Sequence, residues 1–181
     1  MNKQQFWQLI EAARNQAINP DDSEAVAREA TSLLASRPAE EIVAAQQLLW
    51  DLMAESYKDP LWAAAYLING GCSDDGFDYF RGWLIAQGRE VFERVVADPD
   101  ALAGLLIVQT SAAAGVDLEG ERTLCIAWDA HVTATGEELP HDAFTIRYPD
   151  PDPAWAFDFG DAGEMARRLP GLAALYLDEV A

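Results

Sequence analysis

Apolar residues recur at helical spacing through most of the first 135 residues of the chain. In the first such segment, Phe6, Leu9, Ile10 and Ala13 fall on one side of a helix. Prolines and glycines divide the pattern into short segments, because proline cannot continue a helix and glycine commonly ends one. The pattern predicts an all-α fold, in which several helices form one compact domain.

One of these segments, residues 75–87, is apolar on almost every side. Its large side chains form two stripes on opposite flanks, Phe77, Phe80 and Leu84 in one and Tyr79 and Trp83 in the other. Such a helix is buried, so the segment predicts a central buried helix. Asp78 and Arg81 lie on it, three residues apart. Because an isolated buried charge costs several kcal/mol, each must have a charged or strongly hydrogen-bonding partner, either the other or a group on a neighbouring helix.

The residues that precede this helix have the composition of a turn between helices. Gly70 and Gly71 can adopt positive φ where the previous helix ends. Ser73, Asp74 or Asp75 can accept hydrogen bonds from the free N–H groups of the next first turn, worth about 1 kcal/mol. A cap needs only one of these side chains, so capping does not account for every aspartate in this stretch.

The surplus carboxylates predict an acidic cleft at residues 69–83. Such a cleft suits a cation or the amino group of a ligand, and Arg81 is placed to hold a carboxylate of the same ligand. The spacing is not that of an EF-hand, because its alternating aspartates and distant glutamate are missing. The candidate ligand-binding residues are Asn69, Asp74, Asp75, Asp78, Arg81 and Trp83.

The cysteines and histidines give little support for a metal or nucleophilic site. Cys72 and Cys125 are far apart and form no CxxC pair, and His131 and His141 lack acidic residues at matching spacing. A helix N-terminus lowers the pKa of a thiol, but the aspartates beside Cys72 act in the opposite direction. A half-buried structural role for Cys72 is therefore favoured over a catalytic one, and we expect no metal and no cofactor.

The chain is strongly acidic, with 31 acidic and 12 basic residues and a net charge of −19. Such a surface repels nucleic acid and anionic membranes and attracts basic proteins and amines. The first residues lack the apolar core of a signal peptide. The longest apolar runs, Leu61–Ile68 and Ala101–Val108, are too short to span a bilayer. We therefore expect a soluble cytoplasmic protein that binds neither nucleic acid nor membranes.

The character of the sequence changes after about Gly136. Residues 119–134 have the pattern of one further helix, whereas residues 143–160 alternate around a proline-rich acidic stretch. This alternation predicts either an irregular acidic segment laid over the helices or a small β-hairpin. We therefore expect a helical core at 1–140, followed by 141–181 with this insert and two short C-terminal helices packed on the core, the last ending near Val180.

The segment "LWAAAYLINGGCSDDGFDYFRGWLIAQGREVF" (Leu61–Phe92) resembles the central signature of a bacterial family known as domain of unknown function 4240. The stretches "FWQLIEAAR" and "PAEEIVAAQQLLWDLMAESY" are also similar to it. The resemblance covers roughly residues 1–140. It implies a small, soluble, helical bacterial protein and implies no activity or catalytic residues.

Three functions are compatible with these features. The leading interpretation is a helical binding or regulatory module, whose acidic cleft at residues 69–83 binds a basic protein or a small amine-bearing ligand. An enzyme could use the same carboxylates for acid–base chemistry, since burial and like charges raise a carboxyl pKa. An acidic immunity or inhibitor protein, directed at a basic target, is the third.

Overall fold

A computed structural model describes residues 1–177 and has an all-α fold, as the apolar spacing predicts. The α-helices are α1 Lys3–Gln16, α2 Ser23–Ala35, α3 Ala39–Glu55, α4 Asp59–Ile68, α5 Asp74–Ala86, α6 Arg89–Ala97, α7 Leu106–Ala114, α8 Glu121–Leu124, α9 Ile126–Thr135, α10 Ala162–Arg168 and α11 Pro170–Tyr176. Short 3-10 helices occupy Pro99–Gly104 and Pro153–Trp155.

Helix α5 is the central buried helix that the sequence predicts. It contacts α2, α3, α4, α6 and α8. All of its residues from Phe80 to Ala86 are buried, Arg81 among them. Around it, α2 packs against α1 and α9, and α9 also packs against α3. The core is therefore built around α5, whose N-terminal turn reaches the surface.

The sequence prediction of one helix over residues 119–134 is wrong. The structure divides this region into α8 and α9 at Cys125, whose N–H donates to the carbonyl of Arg122 in a tight turn. Both helices pack against α2, but α8 also packs against α5, whereas α9 also packs against α3.

The hairpin alternative for residues 143–160 is also wrong, because no strand occurs within the described range 1–177. The irregular alternative is correct. The side chain of Gln47 in α3 accepts a hydrogen bond from the N–H of Thr145 at 2.7 Å and donates to its carbonyl at 3.2 Å. One side chain thus occupies the backbone groups of Thr145 that a neighbouring strand would otherwise pair with.

The chain then returns to the helical core through α10 and α11. Helix α11 packs against α4 and the first 3-10 helix. Asp100 caps α11, because its carboxylate accepts hydrogen bonds from the N–H groups of Gly171 and Leu172, both at 2.9 Å. The predicted end of the last helix, near Val180, lies outside the described residues. None of the helices in residues 1–177 combines the length and apolar character of a membrane span.

Candidate functional site

The acidic residues of the predicted cleft lie at the start of α5. Ser73 is the N-cap, and its hydroxyl accepts a hydrogen bond from the N–H of Gly76 at 3.1 Å. Asp74 and Asp75 follow in the first turn, where the helix dipole favours negative charge, and both are exposed. Asp78 lies one turn further on and is partly buried. The serine supplies the cap, so the aspartates are free for other contacts.

The turn before α5 follows the sequence prediction. Gly70 and Gly71 both have positive φ, 63° and 135°, where α4 ends. Asn69 links this turn to a distant part of the chain, because its amide oxygen accepts from the N–H of Leu118 at 2.9 Å and its amide nitrogen donates to the Leu118 carbonyl at 3.3 Å. Asn69 therefore holds α4 to the segment before α8.

Trp83 lies away from the carboxylates. It is buried on the opposite flank of α5, with its ring centroid 5.3 Å from that of Phe80. The structure thus gathers Asp74, Asp75 and Asp78 in one place, with Arg81 immediately behind Asp78. It assigns Asn69 and Trp83 to other contacts.

Arg81 is the largest fully buried side chain in the described part of the protein, with 1% of its surface exposed. Its guanidinium donates to a carboxylate oxygen of Asp78 and to the carbonyl of Met53 in α3. Its Nε donates to the carbonyl of Phe77 at 3.3 Å. The prediction that Asp78 and Arg81 are partnered is confirmed: they pair with each other, and Arg81 has further backbone acceptors.

Aromatic rings complete the surroundings of the guanidinium. It lies 4.5 Å from the ring centroid of Phe77 and 5.0 Å from that of Tyr57, distances typical of cation–π contacts. The indole of Trp62 stacks on the ring of Phe77, with the two ring centroids 4.8 Å apart. Burial lowers the pKa of Arg81, and the charge of Asp78 opposes this change.

A surface pocket of about 310 Å³ lies in front of this pair. It is lined by Tyr57, Asp74, Asp75, Asp78 and Tyr148. Burial raises the pKa of Asp78 above its ordinary value, and the positive charge of Arg81 opposes the rise. Burial, followed by the charge of Asp74, also raises the pKa of Tyr57. The pocket therefore presents carboxylates and two phenol rings to solvent, which suits a cationic group.

The two tyrosines are functional candidates that sequence reasoning missed. Tyr57 follows α3, and Tyr148 comes from the irregular segment, with their ring centroids 5.4 Å apart. The alternating pattern around Tyr148 indicated extended backbone, but nothing local connects it with Tyr57, 91 positions earlier. Only the tertiary structure brings the two rings together.

Larger cavities lie elsewhere, along α1 and α6. One of about 560 Å³ includes Arg14 in its lining, and one of about 410 Å³ includes Arg89. Arg89 pairs with Glu93 at 2.7 Å, within the lining of the same cavity. The pocket at the start of α5 differs in having no basic side chain in its lining. In residues 1–177, no three His, Cys, Asp or Glu side chains converge in a way that could hold a metal ion.

Cys72 lies beside the pocket but has the properties of a structural residue. Its carbonyl accepts a hydrogen bond from the indole N–H of Trp62 at 3.1 Å. Burial, followed by the charge of Glu119, raises the pKa of the Cys72 thiol to about 12. A thiol of this kind is a poor nucleophile at neutral pH, because the reactive species is the thiolate.

Alkylation will test this assignment of Cys72. With a pKa of about 12 in place of 9.0, the thiolate fraction at pH 8 falls about a thousandfold, since each pKa unit is a factor of ten. We expect iodoacetamide to modify the exposed Cys125 first and Cys72 only after unfolding in urea, as followed by mass spectrometry on the Cys72→Ser and Cys125→Ser variants. Modification of folded Cys72 at the rate of a free thiol would contradict the structural role.

The fold and pocket define a helical protein with an acidic, tyrosine-lined pocket at the start of its central helix. The sequence comparison gives the family: residues 1–132 match a family described as protein of unknown function (DUF4240). The chain belongs to this family, as its central signature indicated. The matched range contains α1 to α8 and most of α9, and it ends before the segment that carries Tyr148. No curated protein and no solved structure matches the chain.

Proposed function

We propose that this protein is a binding module whose acidic pocket takes the ammonium or guanidinium group of a basic protein or of a small amine-bearing ligand. The observation that carries the proposal is the lining of the pocket, three carboxylates and two tyrosine rings with no basic side chain. Carboxylates attract a cation directly, and the tyrosine faces add cation–π contacts.

Arg81 contributes to the proposal by its position. It lies behind Asp78, buried under the pocket floor, and neutralises only that carboxylate. Asp74 and Asp75 form no ion pair with any residue of the described chain. Two exposed and uncompensated charges therefore remain at the pocket mouth, in a protein whose net charge of −19 already favours cationic partners.

An acid–base enzyme at the same cluster is the second candidate, and one observation favours it. The raised pKa of Asp78 is the property that a general acid requires. The guanidinium of Arg81, however, donates a hydrogen bond to this carboxylate and stabilises its ionised form, which opposes the protonated form that a general acid needs. A reaction that Asp78→Asn abolishes and Asp74→Asn/Asp75→Asn leaves intact would distinguish this candidate from simple binding.

Calorimetric titration will test the binding proposal. The probes are spermidine and a short peptide rich in lysine and arginine, each added to wild type and to Asp74→Asn/Asp75→Asn. We expect the variant to bind about tenfold more weakly or worse, because each charge contributes about 1 kcal/mol at a distance of a few ångström in water. Affinity of the wild type should fall as salt is added.

The matched control is Glu40→Gln/Glu41→Gln. These residues are the adjacent acids in the first turn of α3, away from the pocket, and the control removes the same net charge. We expect it to bind like wild type within about twofold. If both probes fail to bind to wild type, or if both double variants lose affinity equally, the pocket is not the binding site.

A further inference from the structure

Residues 141–152, called the strap below, connect α9 to the second 3-10 helix and lie beside α3 and α4. Two attachments hold the strap to the helices by hydrogen bonds. The first is the pair of bonds between Gln47 and the backbone of Thr145. The second joins the N–H of Asp152 to the carboxylate of Asp59 at 2.5 Å. Both attachments use a side chain on the helical core and the backbone of the strap.

The strap is held weakly compared with the residues that follow it. In the described part of the chain, no backbone–backbone hydrogen bond joins the strap to a helix, and most of its residues are exposed. Further on, Arg168 lies 4.7 Å from the ring centroid of Trp155 and 4.8 Å from that of Phe157. Aromatic packing also anchors the other end, where the ring centroid of His141 lies 5.5 Å from that of Trp128. Among the described residues between these anchors, only Phe144 packs against the core, and a segment with few buried contacts opens at low cost.

The strap supplies one wall of the acidic pocket through Tyr148. This ring packs against Tyr57, and 58% of the surface of Tyr148 remains exposed. Release of the strap would remove the Tyr148 wall and expose more of the Tyr57 ring beside Asp74 and Asp75, which are already exposed. The position of the strap therefore decides whether the pocket is closed or open.

Charge opposes closure of the strap when the pocket is empty. The strap carries three aspartates and one arginine, Arg147, and lies against a surface that carries Asp59, Asp74 and Asp75. Like charges brought together repel, so docking has an electrostatic cost. A cation held between the strap and α5 lowers this cost.

We propose that residues 141–152 form a lid over the acidic pocket and that a cationic ligand holds this lid closed through Tyr148. The ligand step rests on the proposed function, whereas the docking of the strap does not. The family match ends at residue 132, so the lid lies outside the matched range. In thermodynamic terms, the ligand binds the closed form better than the open form and so shifts the population toward closure.

Limited trypsin digestion will measure lid opening, because Arg147 is the only basic residue between positions 141 and 160. Cleavage of the Arg147–Tyr148 bond produces two fragments that mass spectrometry identifies. We expect Gln47→Ala, which removes both bonds to Thr145, to speed this cleavage about fivefold, since cleavage follows the population of the open form. Gln8→Ala is the matched control, an exposed glutamine on α1 that makes none of the strap contacts.

Spermidine supplies the second arm of the experiment. We expect it to slow cleavage at Arg147 about threefold or more in wild type and to have no effect in Asp74→Asn/Asp75→Asn. Hydrolysis of a small chromogenic substrate in the same solution corrects for any direct effect of spermidine on trypsin.

The outcomes separate the lid from the proposed function. Equal cleavage of wild type and Gln47→Ala overturns the lid. Faster cleavage of Gln47→Ala, with no calorimetric binding of either spermidine or the basic peptide to wild type, supports the lid and rejects the proposed ligand class. Spermidine that binds by calorimetry without slowing cleavage overturns the coupling between ligand and lid.

Discussion

Replacing Gly82 by alanine is expected to lower the free energy of unfolding by about 3 kcal/mol or more. Gly82 lies in the middle of α5, where a β-carbon would be 2.4 Å from the carbonyl oxygen of Gly120. The clash is with backbone, and the N–H of Gly120 is itself hydrogen-bonded to the carbonyl of Tyr79 at 2.9 Å. A side-chain rotation therefore cannot relieve the clash between the added β-carbon and the backbone of Gly120. Helix α5 must instead move away from the segment before α8.

The sign of this effect is opposite to that expected from helix propensity. Glycine inside a helix normally costs about 1 kcal/mol relative to alanine, so Gly82→Ala in an isolated helix would be stabilising. Gly76→Ala is the matched control on the same helix, because its β-carbon would meet only Ser73 Oγ at 3.4 Å and Cys72 Sγ at 3.8 Å. Urea unfolding followed by circular dichroism should show a large loss for Gly82→Ala and no loss for Gly76→Ala. Similar stability of the two variants would show that the backbones do not approach so closely.

Local sequence pattern predicts the features of this protein that depend on neighbours along the chain. The helical period of the apolar residues predicts the all-α fold and a central helix at 75–87, one residue from the observed bounds Asp74–Ala86. The pairing of Asp78 with Arg81 follows from the same geometry, since residues three apart on a helix are neighbours. The apolar surroundings of α5 added the reason that each charge must have a partner, either the other or a group on a neighbouring helix.

Features that join distant parts of the chain were not predictable in this way. The crossing at Gly82 and Gly120 connects residues 38 positions apart, and each glycine alone resembles an ordinary helix or turn glycine. The pocket wall at Tyr148 depends on the path of the strap over α3. The hairpin alternative failed for the same reason, because the alternation indicates extended backbone but not whether a strand or the side chain of Gln47 will pair with it.

The candidate site was predicted in part. The three aspartates and Arg81 do lie together, because α5 alone positions them. Asn69 and Trp83 share the same stretch of sequence, but Asn69 bonds to the backbone of Leu118 and Trp83 faces the core. A sequence segment contains every face of its helix, and only the fold decides which face forms a pocket.

The other large effect is expected at Arg81, where replacement by methionine should cost about 3–5 kcal/mol. Methionine retains much of the buried apolar volume, but Asp78 loses its counter-ion and the carbonyl of Met53 loses its charged donor, keeping only the Ser56 hydroxyl at 3.2 Å. The matched control is Arg89→Met, which breaks the exposed pair with Glu93 on the neighbouring helix. Because exposed pairs contribute little, the control should change stability by less than about 1 kcal/mol.

A double-mutant cycle separates the pair from the other contacts of Arg81. Asp78→Asn alone should cost roughly 1.5–3 kcal/mol, because it weakens a charged hydrogen bond to a side chain that cannot reach water. With Arg81→Met already present, Asp78→Asn should cost less by roughly 0.5–3 kcal/mol, since Asp78, with 23% of its side chain exposed, can then be hydrated. Urea unfolding of the four proteins measures this difference. Strict additivity would mean that the pair contributes nothing to folding, and the burial of Arg81 beneath the pocket would then require a functional explanation.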